Sequence, residues 1–189
     1  MPVLISVIIC SYNREKYIAG ALHSLVAQSF AREAFEVLVV DNNSQDNTES
    51  VCRQMIAAHP QYHIRYITEK QQGASFARNT GADQAQGKLL VFMDDDAVAE
   101  PDFLMNIARF HQRHPEVAGF GGRIIPRYIP AEPRWMSHWV ASLVGNFDYA
   151  PEVTEFSFSR YPLESNMVVT AEAFRAVSGF STVLPGVQG

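Results

Sequence analysis

Apolar positions in the chain follow two rhythms that alternate over the first hundred residues. Residues 3–10 form a run that is apolar apart from Ser6 and rich in β-branched side chains, the pattern of a strand covered on both faces. Residues 15–28 then carry Ile18, Leu22, Leu25 and Val26 at helical spacing. Residues 35–40 predict a second buried strand, closed by the turn-forming Asp41-Asn42-Asn43-Ser44. Asp46 or Asn47 caps a following helix that holds Val51, Met55 and Ile56. Residues 63–67 predict a shorter third strand, and residues 74–84 a helix with Gly87 as its stop. Residues 89–93 predict a fourth apolar strand that runs into Asp94-Asp95-Asp96. Pro101 opens the next helix, where the first turn has no N–H partner to lose. Strands separated by helices imply right-handed crossovers and an α/β fold, with a mainly parallel central sheet flanked by helices.

The rhythm breaks after His114. Gly119-Phe120-Gly121-Gly122 interrupts regularity, and Pro126, Pro130 and Pro133 follow among Tyr128, Trp135 and Trp139. Regular helix is not expected before about Trp135. Residues 166–170 predict a last strand, and residues 171–177 a short helix before Gly179-Phe180. With no linker, repeat or low-complexity segment, residues 1–189 are read as one domain with two halves, 1–110 and 111–189.

Composition narrows the picture. The 189 residues are 47% hydrophobic and 19% charged, enough for one real core. A net charge of -5 excludes a broad grip on nucleic acid. An anionic ligand would need a local device, such as a metal ion or aimed backbone N–H groups. No apolar stretch approaches the roughly 20 residues of a membrane span, so membrane contact would come from a surface patch. The apolar start has no basic region before it and leads directly into Ser11-Tyr12-Asn13-Arg14, which favours a strand over a signal peptide. Cys10 and Cys52 read as buried or half-buried free thiols, which fits a reducing compartment. The expected location is cytoplasmic, including the inner face of the membrane. His23, His59, His63, His111, His114 and His138 show no metal-ligand spacing.

In open parallel sheets, ligands bind beyond the carboxyl ends of the strands. That rule selects the loops 11–14, 41–46 and 94–96. Three consecutive carboxylates repel one another unless a cation sits among them. Oxygen ligands alone favour Mg²⁺ or Mn²⁺, which commonly bridge to substrate phosphates. The plain alternative for Asp94-Asp95-Asp96 is a solvated acidic turn that caps the next helix.

These segments, taken together, resemble family 2 glycosyltransferases. Ser6-Val7-Ile8-Ile9-Cys10-Ser11-Tyr12-Asn13-Arg14 is similar to the family's opening strand and loop. Val39-Val40-Asp41-Asn42-Asn43-Ser44-Gln45-Asp46-Asn47-Thr48 is similar to the second strand and its loop. Gly73-Ala74-Ser75-Phe76-Ala77-Arg78-Asn79-Thr80-Gly81-Ala82 resembles the family's Arg-Asn helix, and Leu90-Val91-Phe92-Met93-Asp94-Asp95-Asp96 its DXD region. Order and separations agree to about residue 110; Gly121-Gly122 and Asn166-Met167 resemble weaker features further on. The resemblance implies a GT-A-type fold, with a nucleotide-binding half 1–110 and an acceptor-side half 111–189. It implies an inverting, metal-dependent transfer from a UDP- or dTDP-sugar to a glycan or lipid-linked acceptor. Cys10, Ser11, Tyr12 and Arg14 would line the nucleotide site, with the Tyr12 ring against a uracil-like base. Asp41 would accept from the base N–H, and Arg78 would reach the base or diphosphate. Asp95 would hold the ribose, and Asp96, supported by Asp94, would bind the metal.

Other readings remain open at this point. A nucleotidyltransferase would want a glycine-rich basic loop after the first strand, and a phosphatase a nucleophilic Asp where Cys10 and Ser11 stand. A nucleotide-sugar-binding module without transfer activity needs neither. The family's base lies in an acidic motif beyond a glycine-phenylalanine turn, here Gly179-Phe180. Residues 181–189 hold no Asp or Glu, so the base is expected beyond Gly189 and the acceptor half is expected to be incomplete at its C-terminal end. Glu164 precedes Asn166 and is read as lying on the wrong side of the last strand to serve. Uncovered apolar surface is expected to favour a homo-oligomer.

Overall fold

The apolar runs and a shorter edge strand form the parallel part of a six-stranded sheet. In the computed structural model, which describes residues 2–157 and 160–183, these are β1 (Ile5–Ser11), β2 (Phe35–Asp41), β3 (Ile64–Thr68) and β4 (Leu89–Asp94). The connecting helices are α1 (Ile18–Val26), α2 (Thr48–Ala58) and α3 (Ala74–Gln84), with a single 3-10 turn at Arg32–Ala34 before β2. After β4 come α4 (Phe103–Arg113), β5 (Gly119–Gly121), α5 (His138–Leu143), β6 (Asn166–Thr170) and α6 (Ala171–Ala176). The strand order is β3-β2-β1-β4-β6-β5, and β6 is antiparallel to both of its neighbours. The crossover from β4 to β5 leaves one slot beside β4, and β6 fills it from the opposite direction.

Period-two alternation along the strands divides the core between two faces. Ile5, Val7, Ile9, Val37, Val39, Val91 and Met93 pack under α1, α2 and α4, with Ile18, Leu22, Leu25, Cys52, Leu104 and Ile107. Ile8, Leu38, Val40, Leu90 and Phe92 pack under α3 and α6, with Ala77, Ala171 and Phe174. Burying one such large side chain contributes roughly 1.5–3 kcal/mol, so the doubly covered strands hold the fold. α3 approaches most closely, because a Cβ on Gly81 would come within 2.5 Å of Ile8 Cγ2.

Three local expectations change. Gly87 does not stop α3, which ends at Gln84 with Ala85 as its cap. Its reason is contact: a Cβ there would lie 2.6 Å from the Ser6 nitrogen. The break at Gly119-Phe120-Gly121 is the short edge strand β5. α1 begins at Ile18, because residues 13–15 are drawn into a loop described below. The final Val187-Gln188-Gly189 and the side chain of His138 lie outside the described residues.

Residues 122–165 carry α5 and an isolated bridge between Ile124 and Phe147. Both tryptophans of the chain lie here, with Trp135 70% and Trp139 83% exposed. Intrinsic tryptophan emission is therefore expected near that of free indole in water, with strong quenching by acrylamide. A blue-shifted, protected signal would mean that this surface is covered in solution. No helix among the described residues is long and apolar enough to cross a membrane.

Candidate functional site

The carboxyl ends of β1, β2 and β4 lie side by side. Ser11 is in register with Asp41, and Cys10 with both Val40 and Asp94. β1 connects to β2 on one side and neighbours β4 on the other, so a crevice opens at this reversal of strand order.

The first two loops are laced together. The Asn13, Arg14 and Glu15 N–H groups donate to Ser44 Oγ (2.9 Å), Thr48 Oγ1 (2.9 Å) and Asp46 Oδ2 (3.0 Å). In return, the Gln45 and Asn47 N–H groups donate to Asn13 Oδ1 (2.7 Å) and Glu15 Oε2 (3.0 Å). Asn13 and Asn43 take left-handed backbone angles, φ 54° and 67°, which asparagine tolerates well. Asp46 Oδ1 also accepts from the Thr48 N–H at 3.0 Å, at the start of α2, whose N-cap Asn47 makes no side-chain cap bond. Asn42 is buried and holds a third loop, donating to the Glu69 and Gln71 carbonyls and accepting from the Gly73 N–H at 2.7 Å. This pins the start of α3, the helix that delivers Arg78.

Asp41 is 4% exposed and accepts from the Ser44 hydroxyl and, at 3.1 Å, from the Ser44 N–H. Its carboxylate thus closes its own loop, with Tyr66 of β3 beside it. Tyr12 is exposed at the rim. Cys10 is half-buried, and burial pushes its thiol to about 12, so it is neutral and poorly nucleophilic at pH 7. Cys52 is buried and likewise raised to about 12 by burial.

The three aspartates differ. Asp95 is 6% exposed and forms an ion pair with Arg14 Nε at 3.2 Å. Burial raises its carboxyl to about 6, against the opposing pull of the Ser11 hydroxyl and Arg14. Asp94 is exposed by comparison, yet burial of its carboxyl and then the Asp96 charge push it up. Asp96 is exposed. A cation would relieve this like-charge crowding. Among the described residues, no three His, Cys, Asp or Glu side chains converge as a complete cage. An ion such as Mg²⁺ needs only one or two carboxylates when waters and substrate phosphates complete its shell. Asp94 and Asp96 would be the carboxylates to supply it.

Arg78 is held at this edge by a carboxylate and a ring. Its Nη2 lies 3.2 Å from Glu164 Oε2, and its guanidinium sits 5.4 Å from the centroid of the Phe180 ring. Asn79 fixes that ring. It donates from Nδ2 to the Phe180 carbonyl and accepts the Phe180 N–H at Oδ1, both at 2.9 Å. Gly179 makes the clamp possible, since a Cβ there would lie 2.7 Å from Asn79 Oδ1. Glu164, Phe180, Asn42 and Asn79 therefore belong to the site's surroundings, and none was assigned to it from sequence.

The placement of Glu164 on the wrong side is corrected by the direction of β6. Because β6 is antiparallel, Asn166 pairs with Met93, and the residues before it lie at the same edge as Asp94. Glu164 contributes to the electrostatics of both Asp94 and Cys10. Gly121 allows this return of the chain, as a Cβ there would lie 2.4 Å from Pro162 Cβ.

Comparison with known proteins places this arrangement. Glycosyltransferase AglE of Haloferax volcanii is 40% identical over 100 residues, covering 53% of this chain and 33% of AglE. A glucosyl-dolichyl phosphate glucuronosyltransferase of the same organism is 24% identical over 182 residues, covering 94% of this chain and 56% of the relative. Among solved structures, mannosyltransferase PcManGT from Pyrobaculum calidifontis, in complex with GDP-Man and Mn²⁺, superposes with a TM-score of 0.72 at 23% identity. That match covers 96% of this chain and 50% of the other. S. aureus TarS in complex with UDP matches with a TM-score of 0.65 at 27% identity, over 93% of this chain and 49% of that one. The fold is thus of the GT-A type, as expected. The chain spans about half the length of these relatives, or less. The pattern described as glycosyl transferase family 2 matches residues 6–176, and the chain belongs to that family.

Proposed function

We propose that this chain forms the donor side of a glycosyltransferase that moves a sugar from a nucleoside diphosphate to a glycan or lipid-linked acceptor, with inversion and a divalent cation. The observation that carries the reading is the meeting of Ser11, Asp41 and Asp94 at one sheet edge, where the strand order reverses. The relatives' names support the general class. One is named a glucosyl-dolichyl phosphate glucuronosyltransferase, and TarS has been solved with UDP-GlcNAc.

In this reading Tyr12 offers a flat rim for the base and Cys10 and Ser11 its floor. Asp41 accepts from a ring N–H with lone pairs that Ser44 leaves free. Asp95, oriented by Arg14, accepts from the ribose hydroxyls. Asp94 and Asp96 would hold Mg²⁺ or Mn²⁺, which supplies Lewis-acid stabilisation of the departing diphosphate. The two laced loops hold these groups in place before substrate arrives, so little ordering remains to be done on binding.

A thermal-shift series of nucleotides with Mn²⁺ tests the reading, because a ligand selective for the native state raises stability by mass action. UDP or dTDP with Mn²⁺ is expected to raise Tm, and EDTA to remove the rise. A series in which no nucleoside diphosphate raises Tm at any metal concentration would overturn it. Base selection has its own test. Asp41→Ala leaves the base N–H unpaired, at about 1–3 kcal/mol, so UDP should weaken by roughly 5- to 150-fold and inorganic pyrophosphate far less. Equal weakening of both would make Asp41 a loop cap alone.

A further inference from the structure

We propose that Glu164 is a placeholder for a donor phosphate: its carboxylate sits on Arg78 where a diphosphate oxygen binds, and nucleotide entry requires it to leave. The inference rests on the nucleoside-diphosphate reading above. It concerns a residue that no part of that reading uses.

The Arg78 guanidinium has one fixed neighbour and one exchangeable one. The fixed neighbour is the Phe180 ring, held through its backbone by the two Asn79 hydrogen bonds and packed at its edge on Phe92. The exchangeable neighbour is Glu164, on an irregular segment before β6, with a side chain 54% exposed. Among the described residues, Arg78 is the only hydrogen-bonding partner of the Glu164 side chain. The pair is not what holds β6. That strand is fixed by its ladder to β4, by Asn166 Nδ2 donating to the Arg123 carbonyl at 3.1 Å, and by the contact of Gly121 with Pro162.

The charge balance of the edge explains why the pair should exchange. Arg14 is held by Asp95, and Arg78 by Glu164. Both guanidinium groups described at this edge are thus neutralised by carboxylates. A diphosphate arriving with its cation must recover one of them. Asp95 is buried, whereas Glu164 stands on the solvent side. An ion pair open to solvent on its carboxylate side contributes little, whereas a guanidinium and phosphate form stronger, charge-assisted bonds in a planar fork. Glu164 is therefore the carboxylate that yields. Until it does, its charge adds to that of Asp94 and opposes entry of the anion.

Calorimetric titration of Mn²⁺ with UDP, with inorganic pyrophosphate and with uridine, into the wild-type chain and Glu164→Gln, tests the proposal. Losing the competitor should tighten UDP and pyrophosphate by about two- to fivefold and leave uridine unchanged. Glu164→Ser, which removes the charge with a smaller side chain, should show the same gain, and circular dichroism with Tm reports whether each variant is folded. Unchanged or weaker pyrophosphate binding in a folded variant, beside normal uridine binding, would overturn the placeholder role alone. Failure of the wild-type chain to bind UDP or pyrophosphate would overturn the donor reading and this inference with it.

Discussion

Asp96→Ala is expected to abolish the cation-dependent part of UDP binding and leave the fold intact. The carboxylate is exposed, and among the described residues it takes part in no hydrogen bond or ion pair, so its loss removes no packing. What it removes is half of the pair that would hold the cation. Without that cation, a diphosphate meets Asp94, Asp95 and Glu164 at short range, where salt screens poorly. UDP affinity in Mn²⁺ should fall by at least about tenfold, or 1.4 kcal/mol, to the level seen in EDTA. Tm without ligand should not move. Equal UDP affinity of the wild-type chain in EDTA and in Mn²⁺ would sink this expectation, since there would be no cation-dependent part to lose.

Much of the sheet's carboxyl edge is legible in sequence because two physical constraints act there together. A strand covered on both faces is apolar over most of its length, so β1, β2 and β4 appear as apolar runs interrupted only at Ser6 and Glu36, and the polar residues that end them mark the ligand edge. The rule that ligands bind beyond the carboxyl ends of parallel strands then selects Ser11, Asp41 and Asp94 without any knowledge of contacts. α3 is also read with its observed bounds, residues 74–84, although Gly87 does not stop it and the close approach of Gly81 to Ile8 shows only in the structure.

Periodicity carries no information about pairing direction. Residues 166–170 read as a strand, but nothing in Asn166-Met167-Val168-Val169-Thr170 says that it runs antiparallel. Direction decides which end of the strand meets the site, so Glu164 is assigned to the wrong edge from sequence. β5 is missed for a different reason. Its Gly119-Phe120-Gly121 has neither β-branching nor alternation, and it exists because β6 offers a free edge. The role of Arg78 is half legible. Its motif brings it to the edge, while its ion pair depends on a residue 86 positions away.

The largest stability effect should come from Glu36, at the opposite end of the sheet from the site. This residue is the single charge within the second apolar run before Asp41, and it is 3% exposed. Its Oε1 accepts from Ser6 Oγ at 2.7 Å and from the Gln86 N–H at 2.6 Å, and its Oε2 from Arg65 Nη2 at 3.0 Å. Ser6 Oγ in turn accepts from the Gly87 N–H at 2.8 Å, in the space that a Cβ on Gly87 would fill. One carboxylate thus joins β1, β2, β3 and the entry to β4. Glu36→Ala leaves the buried Ser6 hydroxyl without its acceptor and takes the acceptor from the part-buried Gln86 N–H. Arg65 is partly exposed and can turn to water, which keeps the total below that of a fully buried pair. The expected loss is about 3 kcal/mol, or roughly 6–12 °C in Tm for a chain of this size. Glu36→Gln keeps the volume and one acceptor oxygen, so it should lose less. UDP affinity of the folded fraction should not change in either variant, because the network lies at the amino ends of the strands. A Glu36→Ala protein that melts within ~1 °C of wild type would show that solvent satisfies these groups and that the network does not stabilise the sheet.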